Sequence, residues 1–297
     1  MVLSVDVVLP RTLAEALERR AAEPESVPIA GGTDLMFEIN FDKIRPQTLI
    51  DVSHLRELRE LRSDGDGHVF LGAGVTYSRI LRELPHQRAL AQASRGVGSP
   101  QIRNAGTIGG NLGTASPAGE ALPVLAAHDA EIGLVAGDRE RWLPWNEFLV
   151  GVKRTTLQPD ELIIGARYRA LSGPQSYSKV GTRNAMVISI AMLCFAMDPP
   201  SRTVRVALGA VAPTAVRATD AETFLAAELE RAGAWDELTA PVPNDVADGF
   251  AERVVAAATP IDDVRGTAAY RLHALRVLAR RALGWAMQER ADEAMVS

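Results

Sequence analysis

The sequence predicts an α+β protein built from two or three compact units, and three observations carry that expectation. Short apolar runs such as "SVDVVLP" alternate like half-buried strands and end at glycine, proline or acidic turns. Other stretches, "TLAEALERRAA" and the long segment from Ala268 to Glu289, repeat their apolar residues at helical spacing. The chain has 297 residues, 47% of them hydrophobic, which is enough to bury more than one core.

Each element follows in order. "SVDVVLP" reads as a strand, and Thr12 with Glu15 forms a capping box that opens the helix behind it. Val27 to Ala30 reads as a buried strand running into Gly31-Gly32, with a short helix opening at Leu35. "QTLIDVS" is a further strand, "SDGDG" a surface loop, and Val69 to Leu71 the strand after it. Helical stretches are expected around Tyr77 to Leu84 and Arg88 to Arg95, then a long glycine-rich segment. "AEIGLVAGDRERWLPW" has the form of a hairpin turning at Gly137-Asp138. Beyond Ser172, "MVISIAMLCFAMD" and "TVRVALGAVAP" read as two strands around Pro199-Pro200. The remainder is largely helical, with a second capping box at Thr219 and Glu222 and a core stripe of Leu272, Leu275, Ala279, Leu283 and Ala286 in the last helix. The expected divisions are 1–58, 59–171 and 172–297.

Composition removes several function classes. The net charge of −5 comes from 37 acidic and 32 basic residues with no basic block, so no nucleic-acid groove is expected. No apolar run approaches a membrane span and no charged segment leads an apolar one at the N-terminus, which makes the cytoplasm the expected address. Cys194 lies in an apolar run and reads as a buried structural thiol; one cysteine leaves no thiolate zinc site or self-contained iron–sulfur cluster. The histidines, His54, His68, His86, His128 and His273, lack ligand spacing, so no metal site is expected. "GAGVTY" carries Tyr77 where a dinucleotide fingerprint needs its third glycine, and it reads as a structural turn with Thr76 as N-cap. With no P-loop, nucleophile elbow or evident acid–base pair, the chemistry belongs to a bound cofactor.

Two glycine-rich segments carry that idea. In Ala30-Gly31-Gly32-Thr33-Asp34 consecutive glycines let successive N–H groups converge on one anionic guest, a phosphate, beside a helix start; a tight structural turn is the competing reading. "NAGTIGGNLGTASPAGE", Asn104 to Glu120, is too poor in bulk to form a core and reads as a long loop wrapped around a ligand. Together they suggest a dinucleotide held between two subdomains.

"PIAGGTDL" followed by "IRNAGTIGGNL" resembles the FAD-binding medium subunit of the molybdenum hydroxylases, the xanthine dehydrogenase family that includes carbon monoxide dehydrogenase. "TASPAGEALPVL", "DELIIGARY", "YSKVGTRNAMVIS", "VALGAVAPTAVRA" and "VRGTAAYRLHAL" are similar to later blocks of that family, in the same order. The resemblance implies a vanillyl-alcohol-oxidase (PCMH)-type FAD-binding domain of two subdomains, then a CO dehydrogenase flavoprotein C-terminal-like domain with a small antiparallel sheet and helices. It implies non-covalent FAD against Pro28, Ile29, Ala30, Gly31, Gly32, Thr33, Asp34 and Leu35, and against Thr107, Ile108, Gly109, Gly110 and Asn111. Glu120, where many relatives have Asp, matches a hydrogen bond to a cofactor hydroxyl. Val97 stands where relatives carry an aromatic, Ile163 matches an apolar contact, and Lys179 matches a lysine near the cofactor, with a solvated charge as its competing reading.

The same resemblance implies the partners. A molybdopterin large subunit hydroxylates the substrate, an iron–sulfur small subunit relays single electrons through two [2Fe–2S] clusters, and this chain passes pairs to NAD⁺ or another acceptor, in a dimer of heterotrimers. The alternative is a free-standing flavin oxidase or reductase of the same fold. "AGGTD" is more similar to the purine, aldehyde and heteroaromatic hydroxylases than to carbon monoxide dehydrogenase.

Overall fold

The computed structural model describes residues 5–64, 66–236 and 242–296, with side chains to residue 292. Ser4 of the expected first strand and Gly65 of the acidic loop lie outside the described residues. In chain order the elements are β1 (Asp6–Val8), α1 (Leu13–Ala22), β2 (Val27–Ile29), α2 (Leu35–Asn40), β3 (Thr48–Asp51), β4 (Leu61–Ser63), β5 (His68–Gly72), α3 (Tyr77–Glu83), α4 (Arg88–Gly96), α5 (Pro100–Ala105), α6 (Ile108–Thr114) and α7 (Ala121–Ala127). Then come β6 (Glu131–Ala136), β7 (Arg139–Pro144), α8 (Trp145–Phe148), β8 (Leu149–Gly151), β9 (Arg154–Thr155), β10 (Leu162–Arg169), β11 (Gln175–Val180), β12 (Ala191–Asp198), β13 (Thr203–Gly209), β14 (Val216–Arg217), α9 (Thr219–Arg231), α10 (Asn244–Ala256) and α11 (Ala268–Val296).

These fall into two compact units, each drawn from separate stretches of chain. Unit 1 takes Met1–Leu84, Val97–Ser116 and Asp129–Arg169; unit 2 takes Pro85–Gly96, Pro117–His128 and Ala170–Ser297.

Unit 1 holds a parallel sheet in the order β1-β3-β2 and an antiparallel sheet in the order β4-β5-β10-β6-β7. Ile50 of the central β3 is fully buried with Ala16 and Leu17 of α1 and Leu55, while β2 is half-buried along its length. The expected burial of β2 fails because it is an edge strand. Thr12 Oγ1 caps α1 by accepting from Glu15 N at 3.2 Å, but Glu15 Oε2 accepts from Arg11 N at 2.7 Å, one residue earlier than a closed capping box requires. The hairpin of β6 and β7 turns at Gly137, φ +58°, as expected. Thr76 caps α3 through Arg79 N at 3.3 Å, so "GAGVTY" is the structural turn the sequence predicts.

Unit 2 is an antiparallel sheet in the order β11-β12-β13-β14 packed with helices. Residues Leu193, Phe195 and Met197 of β12 join a core with α9, α10 and α11, where Phe195 and Phe250 meet edge to face at 6.0 Å. The intervening residues Met192, Cys194 and Ala196 are also buried, which is why the strand reads as a continuous apolar run. Burial pushes the Cys194 thiol up to about 12, an inert group as expected. In α11 the residues Leu275, Ala279, Leu283 and Ala286 are buried and Leu272 is half-buried.

The capping box expected at Thr219 does not form. Glu222 is turned into the interior, where Oε1 and Oε2 accept from Arg217 Nε and Nη2 at 2.5 and 2.6 Å and Oε1 from Val206 N at 2.7 Å. A buried guanidinium and a sheet N–H compete better for the carboxylate than the solvated end of a helix.

Candidate functional site

The two glycine segments meet within unit 1. A Cβ added at Gly31 would sit 1.7 Å from the carbonyl oxygen of Ala105, so the missing side chain there makes room for the protein's own backbone. Gly32 has φ +67°, a left-handed turn that L side chains rarely adopt, and it aims the chain into α2. Asp34 Oδ2 then accepts from Thr114 Oγ1 at the far end of α6, 3.3 Å, and from Lys153 Nζ at 3.4 Å; Lys153 also pairs with Glu38. Burial works to lower the Lys153 ammonium, and Glu38 with Asp34 more than offset it, leaving its pKa above the ordinary lysine value.

The second segment is not the long loop expected from its composition. Residues 108–114 form α6, capped by Thr107 Oγ1, which accepts from Gly110 N at 3.0 Å. Gly109 is locked under β5, since a Cβ there would lie 2.6 Å from Ala73 Cβ and its N–H reaches Ala73 O at 2.8 Å. Ile108 N likewise donates to Val75 O at 3.0 Å. These tertiary contacts offset the roughly 1 kcal/mol that each glycine costs in a helix, a term the sequence displays without its compensation. Gly110 differs, because a Cβ there would meet only Thr107 Oγ1, at 3.1 Å.

The hydrogen bonding of the two segments contrasts. The first N–H groups of α6 are used inside the protein. Among the described residues, the backbone N–H groups of Gly31, Gly32, Thr33, Asp34 and Leu35 donate to no acceptor. Five successive unpartnered N–H groups at a left-handed glycine turn and helix start leave a run of partial positive charge free to meet a guest. Close by in sequence to α6's cap, Asn111 Oδ1 is buried without a hydrogen-bond partner among the described residues.

The other predicted site residues separate. Pro28 and Ile29 lie on β2, and Ile29 Cδ1 would lie 3.4 Å from a Cβ on Gly32. Ile163, at an irregularity of β10, reaches α6, its Cδ1 3.5 Å from where a Cβ on Gly113 would stand. Val97 is buried and its carbonyl accepts from Arg103 at 3.0 Å. Glu120 and Lys179 belong to unit 2 and bind each other at 2.9 Å. Lys179 Nζ also donates to Gly96 O at 2.8 Å and Val187 O at 3.1 Å, which engages all three of its protons, while Ser189 Oγ donates to Glu120 Oε1 at 3.2 Å. Lys179 is therefore no solvated charge; its side chain is 14% exposed. Sequence reasoning missed Thr114 and Lys153, for nothing in the chain order marks a partner 80 or 119 residues from Asp34.

This arrangement has counterparts. The family described as "FAD binding domain in molybdopterin dehydrogenase" matches residues 3–167, and "CO dehydrogenase flavoprotein C-terminal domain" matches residues 176–286. The xanthine dehydrogenase FAD-binding subunit of Escherichia coli O157:H7 is 28% identical over 290 residues, covering 93% of this chain and 94% of the relative. The nicotinate dehydrogenase FAD-subunit of Eubacterium barkeri is 37% identical over 193 residues, 61% of this chain and 64% of the relative. A solved carbon monoxide dehydrogenase chain from Hydrogenophaga pseudoflava superimposes with a TM-score of 0.83 at 26% identity, covering 97% of this chain and 99% of that one. Fold and motifs thus define an FAD-binding component of an oxidoreductase. The chain belongs to the family of FAD-binding subunits of the molybdenum hydroxylases, the group of xanthine dehydrogenase and carbon monoxide dehydrogenase, and its cofactor is FAD.

Proposed function

We propose that this chain holds FAD with the pyrophosphate against the N–H groups of residues 31–35, takes electrons from iron–sulfur clusters of a partner subunit, and passes them to NAD⁺ or another acceptor. The observation that carries the reading is the row of five unpartnered N–H groups. Two further features support the fit: the exposed position of Gly110, where a Cβ would meet only the Thr107 hydroxyl, and the unmet acceptor of Asn111, which suits a hydroxyl or N–H donor. Bound FAD supplies a centre that exchanges electrons singly or in pairs, for which the chain's side chains have no equivalent.

The chain's residues bind and orient. Lys153 pairs with both Asp34 and Glu38 and offsets one of their two negative charges beside residues 31–35. Pro28, Ile29, Ala30 and Ile163 contribute apolar walls, and Thr107, Ile108, Gly109, Gly110 and Asn111 a second flank. Glu120 and Val97 are carried into the site by the family motif alone, and Lys179 acts by holding Glu120. Residues 1–58 and 59–171 serve as the two FAD subdomains and 172–297 as the C-terminal domain.

The partners follow from what the relatives are called. The names "FAD-binding subunit" and "medium chain" belong to multi-subunit dehydrogenases. An iron–sulfur small subunit, a molybdopterin large subunit, a dimer of heterotrimers and a cytoplasmic location complete the proposal; no described helix is long and apolar enough to cross a membrane. A fluorescence titration with FAD, and FMN as control, tests the site. Saturable binding of FAD well above FMN is expected; equal affinity for the two, or none by either the chain or its co-expressed complex, overturns the proposal.

A further inference from the structure

A cavity of about 970 Å³ lies wholly within unit 2, walled by α4, the first residues of β11 and the C-terminal half of α11. One wall is Trp285, 52% exposed, although Trp145 and Trp235 are buried. Gln288, Glu289 and Asp292 follow Trp285 at helical spacing and line the cavity with it. Glu289 already holds the guanidinium of Arg88 from α4. Asp292 accepts from Gln288 Nε2 at 2.8 Å on Oδ1, and its Oδ2 has no partner among the described residues.

The strand side holds two unmet acceptors, both shielded from solvent. Gln175 is nine-tenths buried; its Nε2 donates to Leu171 O at 2.6 Å while its Oε1 has no hydrogen-bond partner among the described residues. Ser176 Oγ is buried in the same condition. Gln92 Oε1 is occupied by Tyr177 N at 2.7 Å. The charged lining is thus one cation, Arg88, against two carboxylates, Glu289 and Asp292, beside a flat aromatic face.

A ligand suited to this lining carries positive charge, offers several N–H donors in one plane and has a flat face for the indole. A guanidinium has all three properties, whereas an ammonium lacks the plane and the fork. We propose that the cavity binds a guanidinium group, stacked on Trp285 and donating to Asp292. The volume admits an arginine with its neighbouring residues as readily as a small guanidine.

Calorimetric titration of the full chain with butylguanidinium, with butylammonium as control, tests the site. Saturable binding is expected, with guanidinium favoured by about tenfold or more over ammonium. Trp285→Ala and Asp292→Asn should each weaken it by about tenfold. Asp292 is exposed, so its variant keeps the test valid should Trp285→Ala lower stability. A capped peptide with a central arginine that binds more tightly than butylguanidinium assigns the group to a partner chain, and equal binding assigns it to a free guanidine; both sustain the proposal. Binding that ignores both substitutions, equal affinity for butylammonium, or no saturable heat at millimolar ligand overturns it.

Discussion

At the scale of single residues, glycines that look alike in the sequence answer to different neighbours. Gly31 and Gly109 are small because Ala105 and Ala73 occupy the space a side chain would take. Gly32 is small because φ is +67°, which costs other residues about 1 kcal/mol. Gly110 has an ordinary φ and meets only a side chain, the Thr107 hydroxyl 3.1 Å from where its Cβ would stand. Gly31→Val should therefore destabilise the fold by about 3 kcal/mol or more, because the obstructing atom is backbone and cannot rotate away. Gly110→Val should change stability by about 1 kcal/mol or less and abolish FAD retention. Denaturant unfolding and flavin content of the purified variants check the pair; a Gly110→Val protein with full flavin would remove that flank from the site.

At the scale of elements, β10 is the central strand of the antiparallel sheet, and its entry is pinned by charge. Glu161, immediately before β10, accepts from Arg141 Nε and Nη2 at 2.6 and 2.8 Å and from Gln158 N at 2.8 Å. Burial pushes the Glu161 carboxyl up, but Arg141 and the Gln158 N–H outweigh it and hold the group below its ordinary value. A carboxylate depressed in the folded state adds stability that is complete above its unfolded pKa, about 4.3, and is lost as pH falls through the folded value. Glu161→Gln should cost about 1–2 kcal/mol at pH 7, discounted for the solvent reaching Arg141, and the gap to the parent should narrow as the pH falls below about 4. Urea unfolding at several pH values reads both numbers, and a gap constant from neutral to acid pH would show that the carboxylate's charge is not what pins the strand. Helix α6 gives the opposite lesson at this scale: its composition argues for a loop, and the cap at Thr107 with the seat under β5 makes it a helix.

At the scale of the whole molecule, a cofactor bound only by the folded chain must raise its stability. At FAD a hundredfold above its dissociation constant the gain is about 2.7 kcal/mol, and FMN at the same concentration should give little. Melting curves with each flavin measure this, and a Gly110→Val chain should show no FAD-dependent rise. The α+β class, the strand pair of β12 and β13, the hairpin of β6 and β7 and the family itself were all readable from the chain, because each rests on local patterning or on contiguous motif blocks. The half-buried β2, the inward Glu222 and the helical α6 were not.

What the sequence determined by itself was the periodicity of its strands and helices, the absence of metal-ligand spacing and the two glycine motifs that mark an FAD-binding chain. Only the tertiary structure decided which of those glycines makes room for the protein's own backbone, that Lys153 pairs with Asp34, and that Lys179 is spent on Glu120. The reason is physical: periodicity and turn chemistry act over a few residues, whereas burial, ion pairing and close backbone approach depend on partners tens to more than a hundred residues away.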